Sequence, residues 1–204
     1  MKGDGQLTDR QTIQDGWDRA RGDLHGLVAR ATADDLRRPT DGTRWTNQQL
    51  LWHMVFGYLI VRRLLPMVRL FGRLPDRFSR TFSAMLNAGT RPFHLVNYLG
   101  SVGGALVFNG PRLTRQLDRT LDRLQQSFDA ETETSLGRRM HFPVGWDPFF
   151  RDTMTLAEVY RYGTQHYDFH RAQLTLNEAS LSAGEGPDER DDDHGHDEPQ
   201  QHHG

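Results

Sequence analysis

The segment Thr155–Leu174, T-L-A-E-V-Y-R-Y-G-T-Q-H-Y-D-F-H-R-A-Q-L, contains two histidines four residues apart, His166 and His170. Its start has the T-x-x-E pattern of a helix capping box, formed by Thr155 and Glu158. Residues four apart in a helix lie one turn above each other, with Cβ atoms about 5–6 Å apart. The segment therefore predicts a helix that presents two imidazoles on one face, where both could bind one metal ion.

A third imidazole is predicted to point inward from an earlier helix. Thr46 and Gln49 form a second capping box, and Leu50, His53 and Gly57 then follow on one stripe of that helix. For one buried histidine alone, an ordinary hydrogen-bonded core residue is the better interpretation. Three inward imidazoles favour a metal site, because a single apolar core seldom holds three unpaired ones. His25 lies off its stripe and is a poor ligand candidate.

These positions resemble those of a known family. Trp45-Thr46 opens a helix that contains His53, and His166-x-x-x-His170-Arg171-x-Gln173-Leu174 lies near the end of the last helix. The pattern resembles the DinB-like superfamily of bacterial metal-binding four-helix bundles, over roughly residues 11–176. The resemblance implies a divalent metal bound by the three histidines with open coordination positions. It also implies kinship with thiol-dependent S-transferases and with mycothiol-dependent maleylpyruvate isomerases, which use a low-molecular-weight thiol.

Three neutral imidazoles would leave the +2 charge of the metal uncompensated and at least one position open, as in catalytic sites. An ion held in this way can activate bound water or a bound thiol, and the residues alone do not separate the two. No Glu follows His166, as the metalloprotease helix requires, so a peptidase is disfavoured. Zinc is the first choice of ion, with nickel, iron or copper also suited to imidazole.

Composition and length predict one helical domain with a polar tail. The all-α fold expected over residues 1–180 is an up-and-down four-helix bundle with an extra helical segment between helices 2 and 3. Residues 181–204 are rich in acidic residues, Gly, Pro and His, which predicts a disordered tail. The chain contains no cysteine, so any thiol must come from outside. No apolar leader opens the chain, which predicts a cytoplasmic location.

Heptad-like stripes predict the other main helices. The first is expected to start at Thr8, capped by Thr8 and Gln11; the second runs from Asn47 to Leu65, where Pro66 should end or kink it. The third follows Pro111. The predicted core stripes of the first and third helices are Ile13, Trp17, Ala20, Leu24 and Leu27, and Leu113, Leu117, Leu121, Leu124 and Phe128.

Two apolar segments raise the question of membrane or partner contact. The segment 58–74 is amphipathic and contains four arginines, which fits a bundle helix with a charged solvent face better than a membrane-surface helix. The segment 93–108 is too short to span a bilayer, which needs about 20 residues. It is expected to be a buried helix or a surface on which a second copy packs, giving a homodimer. Nucleic-acid binding has little support, because no basic patch with interleaved aromatic residues is present.

The segment 137–150, which precedes the last helix, is unusually aromatic for a loop. We expect it to be a lid in which Trp146 shapes a substrate pocket and Arg138, Arg139 or His141 meets an anionic group. Its aromatic residues could instead only plug the end of the bundle.

The function that the family resemblance implies is a metal-dependent transferase or isomerase that uses a small thiol and an electrophilic substrate. The alternative is a non-catalytic bundle, stabilised by metal and acting as a dimeric interaction protein.

Overall fold

The computed structural model describes residues 3–176. The helices in this part of the chain are α1 (Gly3–Arg30), α2 (Ala33–Arg37), α3 (Asn47–Phe71), α4 (Asp76–Ala88), α5 (Thr90–Val107), α6 (Gly110–Asp129), α7 (Glu133–Leu136) and α8 (Leu156–Arg171). Two short strands, β1 (Arg139–His141) and β2 (Thr153–Thr155), pair antiparallel. The predicted tail, 181–204, lies outside the described residues.

Four long helices build the main core. Helix α1 contacts α6 and α8, and α3 contacts the same two helices. Every residue of the two core stripes predicted for α1 and α6 is buried. Trp17 of α1 meets Phe128 of α6 edge-on, with ring centroids 5.4 Å apart, and lies 5.9 Å from the ring of Tyr160 in α8. The mostly helical fold predicted from the sequence is thereby confirmed.

The predicted start of the first helix is wrong. Helix α1 begins at Gly3, so Thr8 lies within the helix and is not its N-cap. Of the two outcomes expected at Pro66, an end of the helix is excluded, because α3 continues through Pro66 to Phe71. Proline removes one backbone hydrogen bond, but Leu65 and Val68 on either side are buried in the core. Burial of these neighbours outweighs the local cost and keeps the segment helical.

The extra helical segment between the second and third main helices is confirmed as α4 and α5, both of which contact α3. The buried-helix interpretation of residues 93–108 is wrong, because the buried residues of α5 are only the small Ser101 and Ala105. Its large apolar side chains face solvent: Leu95, Val96, Leu99, Leu106 and Val107. Close approach to α3 depends on Gly104, where a Cβ would lie 2.0 Å from the indole nitrogen of Trp52.

Membrane-spanning helices were considered for the apolar segments. Among residues 3–176, no helix combines the length and the apolarity needed to cross a bilayer. The segment 58–74 forms the second half of α3 and the turn after it.

The loop between β1 and β2 is fixed to the extra helices. The backbone N–H of Gly145 donates to Asn87 Oδ1 at 3.2 Å, and the indole N–H of Trp146 donates to the carbonyl of Leu86 at 3.0 Å. The ring of Trp146 also stacks on Phe93 of α5, with centroids 3.9 Å apart. The loop is thus held against α4 and α5 by two hydrogen bonds and one stacked ring pair.

The start of α8 follows the capping prediction. The Thr155 hydroxyl accepts from the backbone N–H of Glu158, and the Glu158 carboxylate accepts from the backbone N–H of Thr155. Arg151 forms an ion pair with the same carboxylate. The capped start sets the register of α8, and with it the face on which His166 and His170 lie.

Candidate metal centre

The three predicted histidines lie side by side. His53 comes from α3, and His166 and His170 come from successive turns of α8. Each offers one ring nitrogen such that the three atoms lie within 4.8 Å of one another. The Nε2 atoms of His53 and His166 are 3.2 Å apart. Two imidazole ligands of a tetrahedral zinc ion have nitrogens about 3.3 Å apart, so this spacing fits a shared ion.

Ser101 of α5 fixes the tautomer of His53. The Ser101 hydroxyl donates to the carbonyl of Asn97 at 2.8 Å, and its oxygen lies 3.0 Å from His53 Nδ1. Since the hydroxyl proton is already used, Ser101 accepts a hydrogen bond from His53 Nδ1–H. The lone pair of His53 is therefore on Nε2, the atom that faces His166.

His170 is oriented in the same way by a neighbour on its own chain segment. Its Nδ1 lies 2.7 Å from Gln173 Oε1, which can only accept, so Nδ1 carries the proton and Nε2 the lone pair. Partners of this kind raise ligand basicity and hold the ring in place at metal sites. Two of the three imidazoles are therefore already in the protonation state that a metal requires.

His166 lacks such a partner, and its Nδ1 is a buried nitrogen without a hydrogen bond. With His53 Nε2 unprotonated, His166 donates to it through Nε2–H when no ion lies between them. Metal binding would move this proton to Nδ1. Space for the ring comes from Gly57 of α3, where a Cβ would lie 2.4 Å from His166 Nδ1.

Burial keeps all three imidazoles neutral. Loss of hydration lowers the pKa of His53 to about 3, and it lowers the pKa of His166 well below its ordinary value. The pKa of His170 is also lowered by burial, although its hydrogen bond to Gln173 opposes the shift. Neutral imidazole is the form that binds metals, so the cluster needs no deprotonation step at neutral pH.

Trp45 covers one side of the cluster. Its ring lies against His53, with centroids 4.3 Å apart, and its edge faces His170 at 6.2 Å. Tyr98 of α5 stacks on the outer side of the indole at 6.4 Å.

A carboxylate lies on another side. Asp147 Oδ2 is 3.9 Å from His166 Nε2 and accepts a hydrogen bond from the Tyr162 hydroxyl at 2.8 Å. Oδ1 accepts from the backbone N–H of Phe149 at 2.9 Å. Burial raises the pKa of Asp147, while these hydrogen bonds and the nearby His170 partly offset the shift.

A cavity of about 290 Å³ opens next to the cluster. His53 and His166 are on its wall, and most of the remaining wall is apolar. The apolar and aromatic lining residues are Phe56, Ile60, Leu64, Met67, Phe82, Leu86, Phe93, Met140, Phe142, Pro143, Trp146, Phe150 and Tyr162. Among its lining residues, Arg63 and Asp147 are the ones with charged side chains.

The other residues nominated from the loop 137–150 lie in different places. Trp146 lines the cavity. Arg138 and Arg139 line a separate depression beside Gly72 and Asp76. His141 is buried and its Nδ1 lies 3.1 Å from Asp152, so it also stands apart from the cavity wall.

The remaining histidines of the described chain are outside the cluster. His25 pairs with Asp118 at 3.0 Å on the surface between α1 and α6. His94 lines a shallow depression beside Tyr98. Sequence patterns did not reveal Ser101 or Asp147, because each reaches the cluster from a segment with no local metal-binding pattern.

Comparison with known proteins identifies the family. The family description that matches residues 17–174 is that of the DinB superfamily. No curated protein and no solved structure gives a significant match to the chain. The matched range contains α3 with His53 and α8 with His166 and His170. With its helical architecture and its three-histidine cluster, the chain belongs to the DinB superfamily, a metal-binding helical fold.

Proposed function

We propose that this protein binds one divalent metal ion through His53, His166 and His170 and acts as a transferase or isomerase with a low-molecular-weight thiol, such as mycothiol. The observation that supports catalysis is the cavity, because His53 and His166 line it and it would give a small molecule access to the metal site. A purely structural site is closed by its protein ligands and needs no such access. Zinc is the first choice of ion, and nickel and iron suit the same donors.

The donor set supports a reactive ion. Three neutral imidazoles leave its charge uncompensated, and an ion of this kind supplies Lewis acidity that lowers the pKa of a bound thiol or water. The chain's own contribution is to hold the imidazoles neutral and oriented through Ser101 and Gln173. The surrounding wall is mostly apolar and offers water few hydrogen-bond partners, and an apolar environment strengthens electrostatic interactions inside a site.

The thiol and the electrophile are both expected from solution. The chain has no cysteine, so it cannot supply a sulfur nucleophile itself. The apolar wall suits an electrophilic substrate with an apolar body that contacts Trp146. Arg138, Arg139 and His141 lie away from this wall, so we assign contact with an anionic group to Arg63 at the cavity instead.

Metal binding is tested by cobalt titration of the full chain. The wild type should take up one ion, and replacing His53, His166 or His170 by Ala should sharply lower the affinity. His25→Ala and His94→Ala are matched controls and should bind as the wild type does. The triple alanine variant retains all other histidines and supplies the background. Undiminished uptake by that variant would show that the site is misassigned.

Thiol use is tested on the cobalt-loaded protein. A small thiol that reaches the ion should change the visible absorption spectrum, since sulfur and oxygen ligands absorb differently. An electrophile added with the thiol should then be consumed at a rate that depends on all three histidines. A spectrum that does not respond to any of several thiols would refute thiol transfer and leave water activation or a purely structural role for the ion.

The alternative, a non-catalytic dimer, has one observation in its favour. Helix α5 exposes a row of large apolar side chains, with Val96 67% and Leu106 75% exposed. Exposed apolar rows often mark contact surfaces. Sedimentation of the wild type and of a Val96→Glu/Leu106→Glu variant would show whether a dimer forms through this face.

For the enzyme we keep the cytoplasm as the expected location, where small thiols stay reduced.

A further inference from the structure

One carboxylate stands directly beside the three-histidine cluster. Asp147 Oδ2 lies 3.9 Å from His166 Nε2, the same nitrogen that lies 3.2 Å from His53 Nε2. Nitrogen and oxygen ligands of one ion at ordinary bond lengths of about 2.0–2.2 Å are separated by roughly 3 to 4 Å. Both observed distances fall in this range, so Asp147 Oδ2 lies at ligand spacing from His166, as His53 does.

The position of Asp147 is fixed by the protein. The Tyr162 hydroxyl donates to Oδ2 and the backbone N–H of Phe149 donates to Oδ1. These two bonds set the side chain so that an oxygen faces the cluster. The carboxylate is therefore held with Oδ2 3.9 Å from His166 Nε2.

The described part of the chain holds no cationic side chain in an ion pair with this carboxylate. Its side chain is 15% exposed, and no arginine among residues 3–176 forms an ion pair with it. A charge removed from water is costly unless it is paired or binds a metal. An ion bound by the three histidines would supply a positive charge that balances Asp147.

We propose that Asp147 is a fourth protein ligand of the metal ion, bound through Oδ2; this rests on the proposed metal site. The carboxylate reduces the net charge of the site from +2 to +1 and changes the donor set from three nitrogens to three nitrogens and one oxygen. A zinc ion held by these four groups would bind a small molecule by accepting a fifth ligand, as catalytic zinc can.

The test is cobalt binding by the full-length Asp147→Asn variant. Asparagine keeps the size of the side chain and an acceptor oxygen for Phe149 but removes the charge. We expect cobalt affinity to fall by at least tenfold and the visible absorption bands of the bound ion to change. Asp152→Asn is the matched control, because Asp152 belongs to the same connection between β1 and β2 but is 81% exposed and pairs with His141. It should bind cobalt with the affinity and spectrum of the wild type.

A measurement on the wild-type protein keeps the ligand role of Asp147 testable even if the Asp147→Asn variant fails to fold. With ¹³C-labelled aspartate, the infrared difference spectrum upon cobalt addition should contain a shifted carboxylate stretch. That band should vanish in the variant that lacks all three histidines, which retains every other acidic residue.

The outcomes separate the inference from the proposed function. Wild-type affinity and spectrum in Asp147→Asn, or a difference spectrum without a histidine-dependent carboxylate band, would overturn the ligand role of Asp147 and leave the three-histidine site intact. Failure of the wild type to bind cobalt through its histidines would instead refute the metal site, and the fourth ligand with it.

Discussion

At the scale of single residues, the metal site depends on a glycine as much as on its histidine ligands. Gly57 faces His166 across the α3–α8 contact, and a Cβ there would lie 2.4 Å from Nδ1 and 2.9 Å from Cε1. Real Cβ atoms do not approach a ring this closely, so any larger residue must displace the imidazole. The histidine pattern alone shows the ligands, whereas the glycine opposite them determines whether they can point inward.

Gly57→Ala should therefore weaken cobalt binding by at least about tenfold, the scale found when ligand support is lost. Its effect on stability combines a gain of up to about 1 kcal/mol in helix propensity with an overpacking cost of about 1–3 kcal/mol. Cobalt titration and urea unfolding measure the two effects separately. Gly100→Ala is the control, because a Cβ there meets nothing within 4 Å. It should be stabilising and leave metal affinity unchanged; equal affinity in both variants would contradict the steric role of Gly57.

At the scale of elements, α5 has two different faces. Its outer face exposes large apolar residues, whereas its inner face supplies Ser101, which accepts a hydrogen bond from His53 Nδ1–H. Hydrophobic content predicted either burial of this helix or a surface on which a second copy packs. Burial within the chain is wrong, because contact with α3 is made through small residues. Close helix contact at Gly104 leaves no room for a larger inner face.

Ser101→Ala should lower metal affinity by about 10- to 100-fold, because His53 loses the partner that fixes its tautomer. Cobalt titration gives the affinity, and the thermal midpoint of the metal-free protein shows whether packing is retained. Ser83→Ala is the control, since Ser83 is also buried but belongs to α4 and does not line the cavity. If Ser101→Ala binds cobalt as tightly as Ser83→Ala does, then Ser101 does not orient the ligand.

The sequence determined the elements that are strongly patterned. Capping boxes located the starts of α3 and α8, and the stripes of α1 and α6 are buried as predicted. It did not locate the start of α1 or the continuation of α3 through Pro66, where tertiary burial outweighs local preference. The contacts of Ser101 and Asp147 with the cluster could not be predicted either, because both depend on how distant segments fold together.

At the scale of the whole molecule, three neutral buried histidines link stability to pH. Each has a lower pKa in the folded protein than the ordinary value of about 6.5, and for His53 the folded value is about 3. Below pH 6.5 the unfolded chain binds protons that the folded chain cannot bind, so the free energy of unfolding falls. Above pH 6.5 this contribution is fully present. Asp147, whose pKa is raised, changes stability in the opposite sense at lower pH.

We expect the metal-free protein to lose stability between pH 6.5 and 5, by up to about 1.4 kcal/mol per pH unit for each histidine that stays neutral. Urea unfolding in the presence of a chelator at a series of pH values measures the slope. His53→Gln removes one titrating group and should have a shallower slope than the wild type. Equal slopes in the two proteins would show that His53 is not held neutral by the fold.

Finally, the ring of Trp45 lies against His53, so its fluorescence is an intrinsic probe of the metal site. Indole fluorescence is quenched by a nearby paramagnetic ion such as Cu²⁺ or Ni²⁺, whereas Zn²⁺ has a filled d shell and lacks this effect. The chain has four tryptophans, so Trp45→Phe supplies the emission of the other three as background. The difference between the two emissions would report, without any added dye, whether the site beside Trp45 holds an ion and whether that ion is paramagnetic.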